Sequence, residues 1–106
     1  MGIQRTIRFP GHAVPEWPSV TAKLVEAGES PVLRMIDGMP AFPDETPPSD
    51  WRELRIGLSG GMVTVKRTSD AEIACVTWGT GEPNLVASWN RLCEAFAVAG
   101  GGVIVE

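Results

Sequence analysis

The sequence predicts an α+β fold, a two-layer sandwich in which two helices pack on one face of a mostly antiparallel sheet of five to six strands. Two segments have apolar residues at helical spacing, and they lie on either side of a central run of alternating residues. Short strand-like segments also lie near both ends of the chain. The expected order is β-α-β-β-β-β-α-β, within a single domain that covers residues 1–106.

The first part of the chain is predicted to contain a strand, a helix and a second strand. Residues 3–9 alternate between apolar and polar side chains, as a half-buried strand requires. A helix with a proline in its first turn is expected to end near residue 27, because Gly28 suits the positive φ that follows many helices. Residues 31–37 include apolar side chains at both odd and even positions, which favours a strand that is covered on one face and partly covered on the other.

Residues 51–78 are predicted to form three antiparallel strands, because two hairpins give one consistent register. A two-residue turn at Gly60-Gly61 is favoured, since such turns need positive φ. The first hairpin then pairs Leu58 with Val63, Ile56 with Val65 and Leu54 with Arg67. A second turn at Ser69-Asp70 pairs Arg67 with Glu72, Val65 with Ala74 and Val63 with Val76. The apolar members, with Trp78, share the face that the second helix is expected to cover.

The last part of the chain predicts a helix and a short strand. The helix is expected to begin at Pro83 and to stop at the glycines of residues 100–102, before a strand at residues 103–106. Its apolar stripe consists of Leu85, Val86, Trp89, Leu92, Cys93 and Phe96.

Composition and charge narrow the function classes. The chain is 43% hydrophobic and 21% charged, which is ordinary for a folded globular protein. Its formal charge of −4 has the wrong sign for a protein whose affinity depends on neutralising phosphates, so we expect no nucleic-acid partner. No apolar run reaches the roughly 20 residues of a membrane helix, and residues 1–11 lack the apolar stretch of a signal peptide. We therefore expect a cytoplasmic protein that does not bind a membrane.

The two cysteines and the single histidine predict neither a disulfide framework nor a metal site. Two cysteines are too few for such a framework, and we expect Cys75 and Cys93 to be free thiols that point to different layers. One histidine and two separated cysteines do not form a zinc pattern. We expect no metal and no cofactor.

Residues 57–61, GLSGG, match the G-x-S-x-G pattern of a serine nucleophile on a strand-to-helix elbow. Such an elbow needs a helix directly after the serine, and then an acid and a histidine. Residues 62–68 instead alternate like a strand, and His12 lies far upstream. We interpret Ser59 as a turn residue, and the sequence favours a protein that is not an enzyme.

A second function class stays open, a small enzyme or ligand-binding domain that uses His12 and Glu16. A loop histidine near a carboxylate can titrate near neutral pH and serve as an acid or base. Trp17 or Trp51 would border its pocket. The sequence offers His12 no second catalytic partner, and an exposed histidine without a chemical role is the alternative interpretation.

The outward face of the three central strands is the first candidate for function. In the predicted register Arg55 lies opposite Lys66, and the same side carries Met62, Thr64, Ile73, Cys75 and Thr77. Like charges directly across a strand pair are unfavourable, so either Glu53 on the diagonal or a partner offsets them. A partly apolar, locally basic face on an acidic protein suits an acidic partner or a second copy of the chain.

The proline-rich loop at residues 38–50 is the second candidate. Met39 and Phe42 either anchor this loop on its own domain, or Phe42 is exposed on an acidic flap. The sequence therefore predicts an interaction module that binds a protein partner or self-associates through the outward face and this loop. The expected binding residues are Arg55, Lys66, Met62, Ile73 and Phe42.

Overall fold

The structure, a computed structural model, describes residues 3–11, 13–77 and 82–105. The strands in these residues are β1 (Ile3–Arg8), β2 (Val32–Ile36), β3 (Met39–Pro40), β4 (Glu53–Leu58), β5 (Gly61–Ser69), β6 (Glu72–Thr77) and β7 (Val103–Val105). The helices are α1 (Trp17–Glu26) and α2 (Pro83–Gly100). The predicted order of elements is confirmed, with one strand more than expected.

The seven described strands form one antiparallel sheet in the order β3-β2-β4-β5-β6-β1-β7. Both helices pack on one face of the sheet, which confirms the predicted α+β sandwich. Strand β1 lies between β6 and β7, which α2 connects in a split βαβ arrangement. We call the face beneath the helices the inner face. The opposite face, which no described element covers, is the outer face.

The additional strand, β3, begins the segment that was predicted as a loop. Asp37 (φ 51°) and Gly38 (φ 81°) form the two-residue turn between β2 and β3. Positive φ at both positions is typical of the type I′ turn that Asp-Gly favours. The Asp37 carboxylate accepts hydrogen bonds from the N–H groups of Arg52 and Glu53 at 2.7 and 2.9 Å. Pro40 fits this strand because β3 lies at an edge of the sheet.

The β4–β5 hairpin turns at Ser59-Gly60, so the predicted turn at Gly60-Gly61 is wrong. Leu58 pairs with Gly61, Ile56 with Val63 and Leu54 with Val65. This register differs from the prediction by two residues, and a shift of two leaves each side chain on its expected face. Gly60 does not have a positive φ, and it is needed for space. A Cβ at this position would lie 2.1 Å from the backbone oxygen of Asn84 in α2.

The β5–β6 hairpin contains a bulge between Arg67 and Ser69. It shifts the predicted register by one residue, so that Val65 pairs with Cys75 rather than with Ala74. A shift of one exchanges the faces of a strand. Three residues expected outside therefore lie on the inner face: Ile73, Cys75 and Thr77. Two residues expected inside lie on the outer face: Ala74 and Val76.

Aromatic residues join the two layers in the core. Trp51 is buried, and its ring centroid lies 6.3 Å from that of Phe96 in α2, which lies 6.3 Å from that of Trp17 in α1. Both helices end as predicted, with Gly28 (φ 88°) after α1 and Gly101 (φ 66°) as the cap of α2. Within the residues described, no helix combines the length and apolar character needed to cross a bilayer.

Candidate interaction surface

The outer face has small side chains at its centre and longer ones around them. One row of directly paired residues includes Val76, Thr64, Arg55 and Met35. Val76, Thr64 and Ala74 are only 7%, 5% and 4% exposed, although no described element covers them. Gly57 of β4 also faces this side and has no side chain, so small residues occupy the centre of the outer face and longer ones surround it. We call this low, apolar and hydroxyl-bearing centre, formed by Gly57, Thr64, Ala74 and Val76, the depression.

Two long side chains border this depression at Gly57. A Cβ on Gly57 would lie 3.3 Å from Nε of Arg34 and 3.6 Å from Sδ of Met62, so both side chains lie on the outer face. Met62 is 42% exposed. Arg34 was not among the predicted binding residues, because the β2 bulge between Leu33 and Met35 determines the face it occupies.

The outer face is positively charged on a chain of net charge −4. Its cationic residues are Arg8, Arg34, Arg55 and Lys66, and its anionic residues are Glu53 and Glu72. Arg8 forms an ion pair with Glu72 at 3.1 Å, and this contact, with the Thr68 hydroxyl, lowers the pKa of Glu72. Within the described part of the chain, the guanidinium groups of Arg34 and Arg55 form no hydrogen bond and no ion pair.

The predicted repulsion between Arg55 and Lys66 is wrong. Arg55 pairs with Thr64, and Lys66 pairs with Glu53, which offsets its charge from directly across the strands. Three predicted binding residues lie together on the outer face: Arg55, Lys66 and Met62. Ile73 is fully buried on the inner face, so it is not accessible to a partner.

The predicted loop, after β3, runs beside the first turns of α1. Residues 43–46 and the α1 residues Trp17, Pro18 and Thr21 border a groove of about 210 Å³. The N–H of Ala41 donates to the carbonyl of Arg34, and Pro47 is buried, so the segment is fixed at two points. This position is on the helix side of the sheet edge, away from the outer face.

Phe42 does not anchor this loop, contrary to one of the two predictions. Phe42 and Met39 are 75% and 67% exposed, which agrees with the alternative prediction of an exposed flap. The Phe42 N–H donates to Oε1 of Glu45 at 3.2 Å, and the Glu45 N–H donates to the Phe42 carbonyl at 3.0 Å. These two hydrogen bonds close the backbone turn that carries the exposed ring.

No protein-family model, curated protein or solved structure matches this chain. The surfaces are therefore interpreted from their geometry and charge.

Ser59 belongs to a polar cluster around the buried carboxylate of Glu29, which follows α1. Glu29 accepts hydrogen bonds from the N–H and Oγ of Ser59 at 3.0 Å, from Oγ of Ser88 at 3.1 Å and from Nη1 of Arg91 at 2.6 Å. The Gly60 N–H donates to Oγ of Ser88 at 3.0 Å. The Glu29 side chain is fully inaccessible to solvent. No pattern in the sequence predicts this cluster, because its members come from three distant segments.

The cluster does not activate Ser59 as a nucleophile. Burial raises the pKa of Glu29, but the hydrogen bonds from Ser59, Arg91 and Ser88 outweigh burial and hold this pKa below its ordinary value. A carboxylate with a lowered pKa and this many donors is a poor general base. Strand β5 rather than a helix follows the turn, so the interpretation of Ser59 as a turn residue is confirmed.

Cys75 and Cys93 are free thiols, as predicted, and both are buried. The β5 bulge turns Cys75 toward α2, so both thiols lie in the core, and the expectation that they point to different layers is wrong. The neighbouring Cys93 thiol and burial raise the pKa of Cys75, whereas the neighbouring Cys75 thiol and the nearby Arg5 lower the pKa of Cys93. The Arg5 guanidinium lies 4.4 Å from the Trp89 ring centroid. Both thiols have no solvent-accessible surface.

The tryptophan-lined pocket predicted for the second function class is small. Glu16, Trp17 and Trp51 border a cavity of about 50 Å³, and small-molecule sites typically measure roughly 300–1,000 Å³. His12 lies outside the described residues, as do residues 78–81, which include Trp78. Among the residues described, no group of three or more His, Cys, Asp or Glu side chains could hold a metal ion.

Proposed function

We propose that this chain is a non-enzymatic interaction module that binds a protein partner with an acidic surface through its outer face. The proposal rests mainly on three side chains of a sheet face that no described element covers: exposed Met62, and Arg34 and Arg55, whose guanidinium groups have no partner among the described residues. Met and Arg are enriched at protein interfaces, whereas Lys and Glu are depleted. An acidic partner complements this face and is repelled by much of the remaining surface of a chain with net charge −4.

Each part of the outer face has a distinct role in the proposal. Arg34 and Arg55 bind carboxylates, because a guanidinium offers a planar pair of donors that matches a carboxylate. Met62 supplies flexible apolar contact. The depression over Gly57 and Thr64 admits one side chain of the partner. Lys66 contributes long-range attraction from the rim.

The loop at residues 38–50 is the second contact surface in the proposal. Exposed aromatic residues are frequent anchors of protein interfaces, and Phe42 is 75% exposed on a closed turn. The loop and the outer face lie on different sides of the sheet edge, so they contact different surfaces.

A capture experiment with a charge-reversal control away from the outer face tests the proposal. Tagged wild-type chain, an Arg55→Glu/Lys66→Glu variant and a Lys23→Glu variant are each expressed in the source cell, cross-linked and purified. Lys23 lies on α1, where reversing one charge leaves the outer face intact. Thermal midpoints are measured to establish that all three proteins are folded. We expect them to be folded, because placing a Glu side chain opposite Glu53 costs only about a few tenths of a kcal/mol.

The expected result is an acidic protein partner that wild type and Lys23→Glu recover equally, and that the double variant recovers at least about tenfold less. Equal recovery by all three proteins would contradict the proposal. A measurable turnover that His12→Ala abolishes, with capture unchanged by the double variant, would favour the enzyme or ligand-binding alternative.

A further inference from the structure

We infer that the partner of the outer face is a second copy of this chain, which docks its 38–50 loop with Phe42 over the depression beside Met62. This inference rests on the proposed function and names the occupant of the outer face. Charge, side-chain chemistry and the placement of the two surfaces on the fold support it.

The two surfaces have opposite charge. The loop carries Asp44, Glu45 and Asp50 and has no Lys, Arg or His. The outer face carries four cationic and two anionic residues. Contact brings these groups within the Debye length, about 10 Å at 0.1 M salt, so their attraction is not fully screened.

The tip of the loop has the chemistry that the depression accepts. An aromatic ring interacts favourably with a guanidinium over its face and with a methionine sulfur at its edge, and Arg55 and Met62 offer both. Asp44 has no hydrogen bond or ion pair within the described residues, so its carboxylate is available to Arg34 or Arg55. Phe42 and Asp44 thus match an apolar centre and a cationic border.

The loop is prepared for binding before contact. The Phe42–Glu45 turn is closed by two hydrogen bonds, Pro40 and Pro43 flank the ring, and buried Pro47 fixes the far end. Little conformational entropy remains to be lost when such a segment docks, which strengthens binding without additional contacts.

The placement of the two surfaces requires a contact between copies. The loop lies beside α1 on the helix side of the sheet edge, whereas Arg55 and Met62 lie on the outer face. A loop-to-face contact is therefore heterologous, and each bound copy keeps one unused surface. Such contacts generate rings or open-ended filaments of subunits rather than a closed symmetric dimer.

Mixing two variants that cannot self-associate alone, but that each keep one intact binding surface, tests the inference. Sedimentation velocity measures the mass of wild type, of Phe42→Ser and of Arg55→Glu/Lys66→Glu over a roughly hundredfold range of concentration at low salt. Val98→Ser is the matched control for Phe42→Ser, because Val98 is 65% exposed on α2. An equimolar mixture of the two variants is then measured, because Phe42→Ser keeps an intact face and the charge reversal keeps an intact loop.

We expect wild type and Val98→Ser to grow beyond a dimer of the 11.3 kDa chain as concentration rises, and added salt to reverse this growth. Each variant alone should stay monomeric, and their mixture should form a one-to-one complex of twice the chain mass. A monomeric wild type, a Phe42→Ser protein that still associates, or a mixture that stays monomeric would overturn the inference. The proposed function stands if self-association is absent but Arg55→Glu/Lys66→Glu still recovers less of a different protein partner than wild type does. If that variant also recovers as much partner as wild type, the inference and the proposed function both fail.

Discussion

The carboxylate of Glu29 and the hydroxyl of Ser59 lie 3.0 Å apart, although 30 residues separate them in the chain. Through this contact the end of α1 binds the turn between β4 and β5, and Ser88 and Arg91 of α2 bind the same carboxylate. One buried acidic group thus joins both helices to one hairpin. It also satisfies the Ser59 N–H in the turn.

Glu29→Gln is expected to destabilise the protein by about 2–4 kcal/mol, because it removes the charge paired with Arg91 and directs an amide donor at the Ser59 donors. Urea denaturation measures the change. Glu26→Gln is the control, because Glu26 is exposed and forms a surface ion pair with Lys23, and it should cost less than about 1 kcal/mol. Equal midpoints for the two variants would show that the cluster does not join these elements.

Stability should fall in acid, and Glu29 should account for part of the loss. Burial raises the pKa of Glu29, but hydrogen bonds led by that of Ser59 lower it more, so its folded pKa lies below its unfolded pKa. The stabilisation is present above the unfolded pKa and is lost as the pH falls through the folded pKa. Glu72, whose pKa is lowered by Thr68 and Arg8, acts in the same direction.

The loss of stability at low pH is followed by measuring the urea midpoint from about pH 7 to about pH 3. The decrease should be shallower in Glu29→Gln than in wild type, because the variant lacks this titrating group. A decrease of the same steepness in both proteins would exclude Glu29 as a source of the pH dependence.

Gly60→Ala should be strongly destabilising, whereas Gly57→Ala should be tolerated. A Cβ on Gly60 would lie 2.1 Å from the backbone oxygen of Asn84, which cannot move without displacing α2. A Cβ on Gly57 would lie 3.3 and 3.6 Å from the flexible side chains of Arg34 and Met62, and at an ordinary contact distance of 3.7 Å from the backbone oxygen of Val32. We expect a cost of roughly 1–3 kcal/mol or more for Gly60→Ala and less than about 0.5 kcal/mol for Gly57→Ala, measured by thermal unfolding. Similar losses of stability in the two variants would argue against a turn at Ser59-Gly60.

Phe42→Ser should leave stability nearly unchanged, within about 0.5 kcal/mol, because the Phe42 ring is 75% exposed. Phe9→Ala, which removes a fully buried ring, should cost about 3–5 kcal/mol. Calorimetry of both variants measures this contrast. A large loss in Phe42→Ser would mean that Phe42 anchors the loop on its own domain.

The native protein should resist thiol reagents. Cys75 and Cys93 have no accessible surface, and the neighbouring Cys93 thiol and burial raise the pKa of Cys75. Maleimide should therefore modify both thiols in denaturant and neither in the folded protein on the same timescale. Rapid modification without denaturant would show that the β6–α2 contact opens readily.

Side-chain alternation was sufficient to predict the inner residues of β4 and β5, because an error of two residues at the turn leaves their faces unchanged. It failed for β6, where the bulge between Arg67 and Ser69 adds one residue and places Ile73 inside. The bulge depends on local bonds, such as that from the Thr68 hydroxyl to the Glu72 carbonyl, which periodicity does not encode.

The candidate surface was predictable where it depends on strand parity alone. Arg55, Met62 and Lys66 lie outside as expected, whereas Arg34 depends on the β2 bulge. The Asp37-Gly38 pair carried a hairpin signal that explains β3, although the prolines after it favoured a loop. Glu29 was unpredictable, because its burial requires α1, α2 and a hairpin to meet at one point.

The most direct test of the central claim measures whether the outer face is covered in the cell. Met62→Cys and Val98→Cys each place one accessible thiol on a chain whose native thiols are buried, the first on the outer face and the second on α2. Maleimide labelling is compared between undiluted source-cell extract and dilute purified protein. The proposal predicts that position 62 is protected in the extract and position 98 is not. Equal labelling of position 62 in both preparations would contradict it.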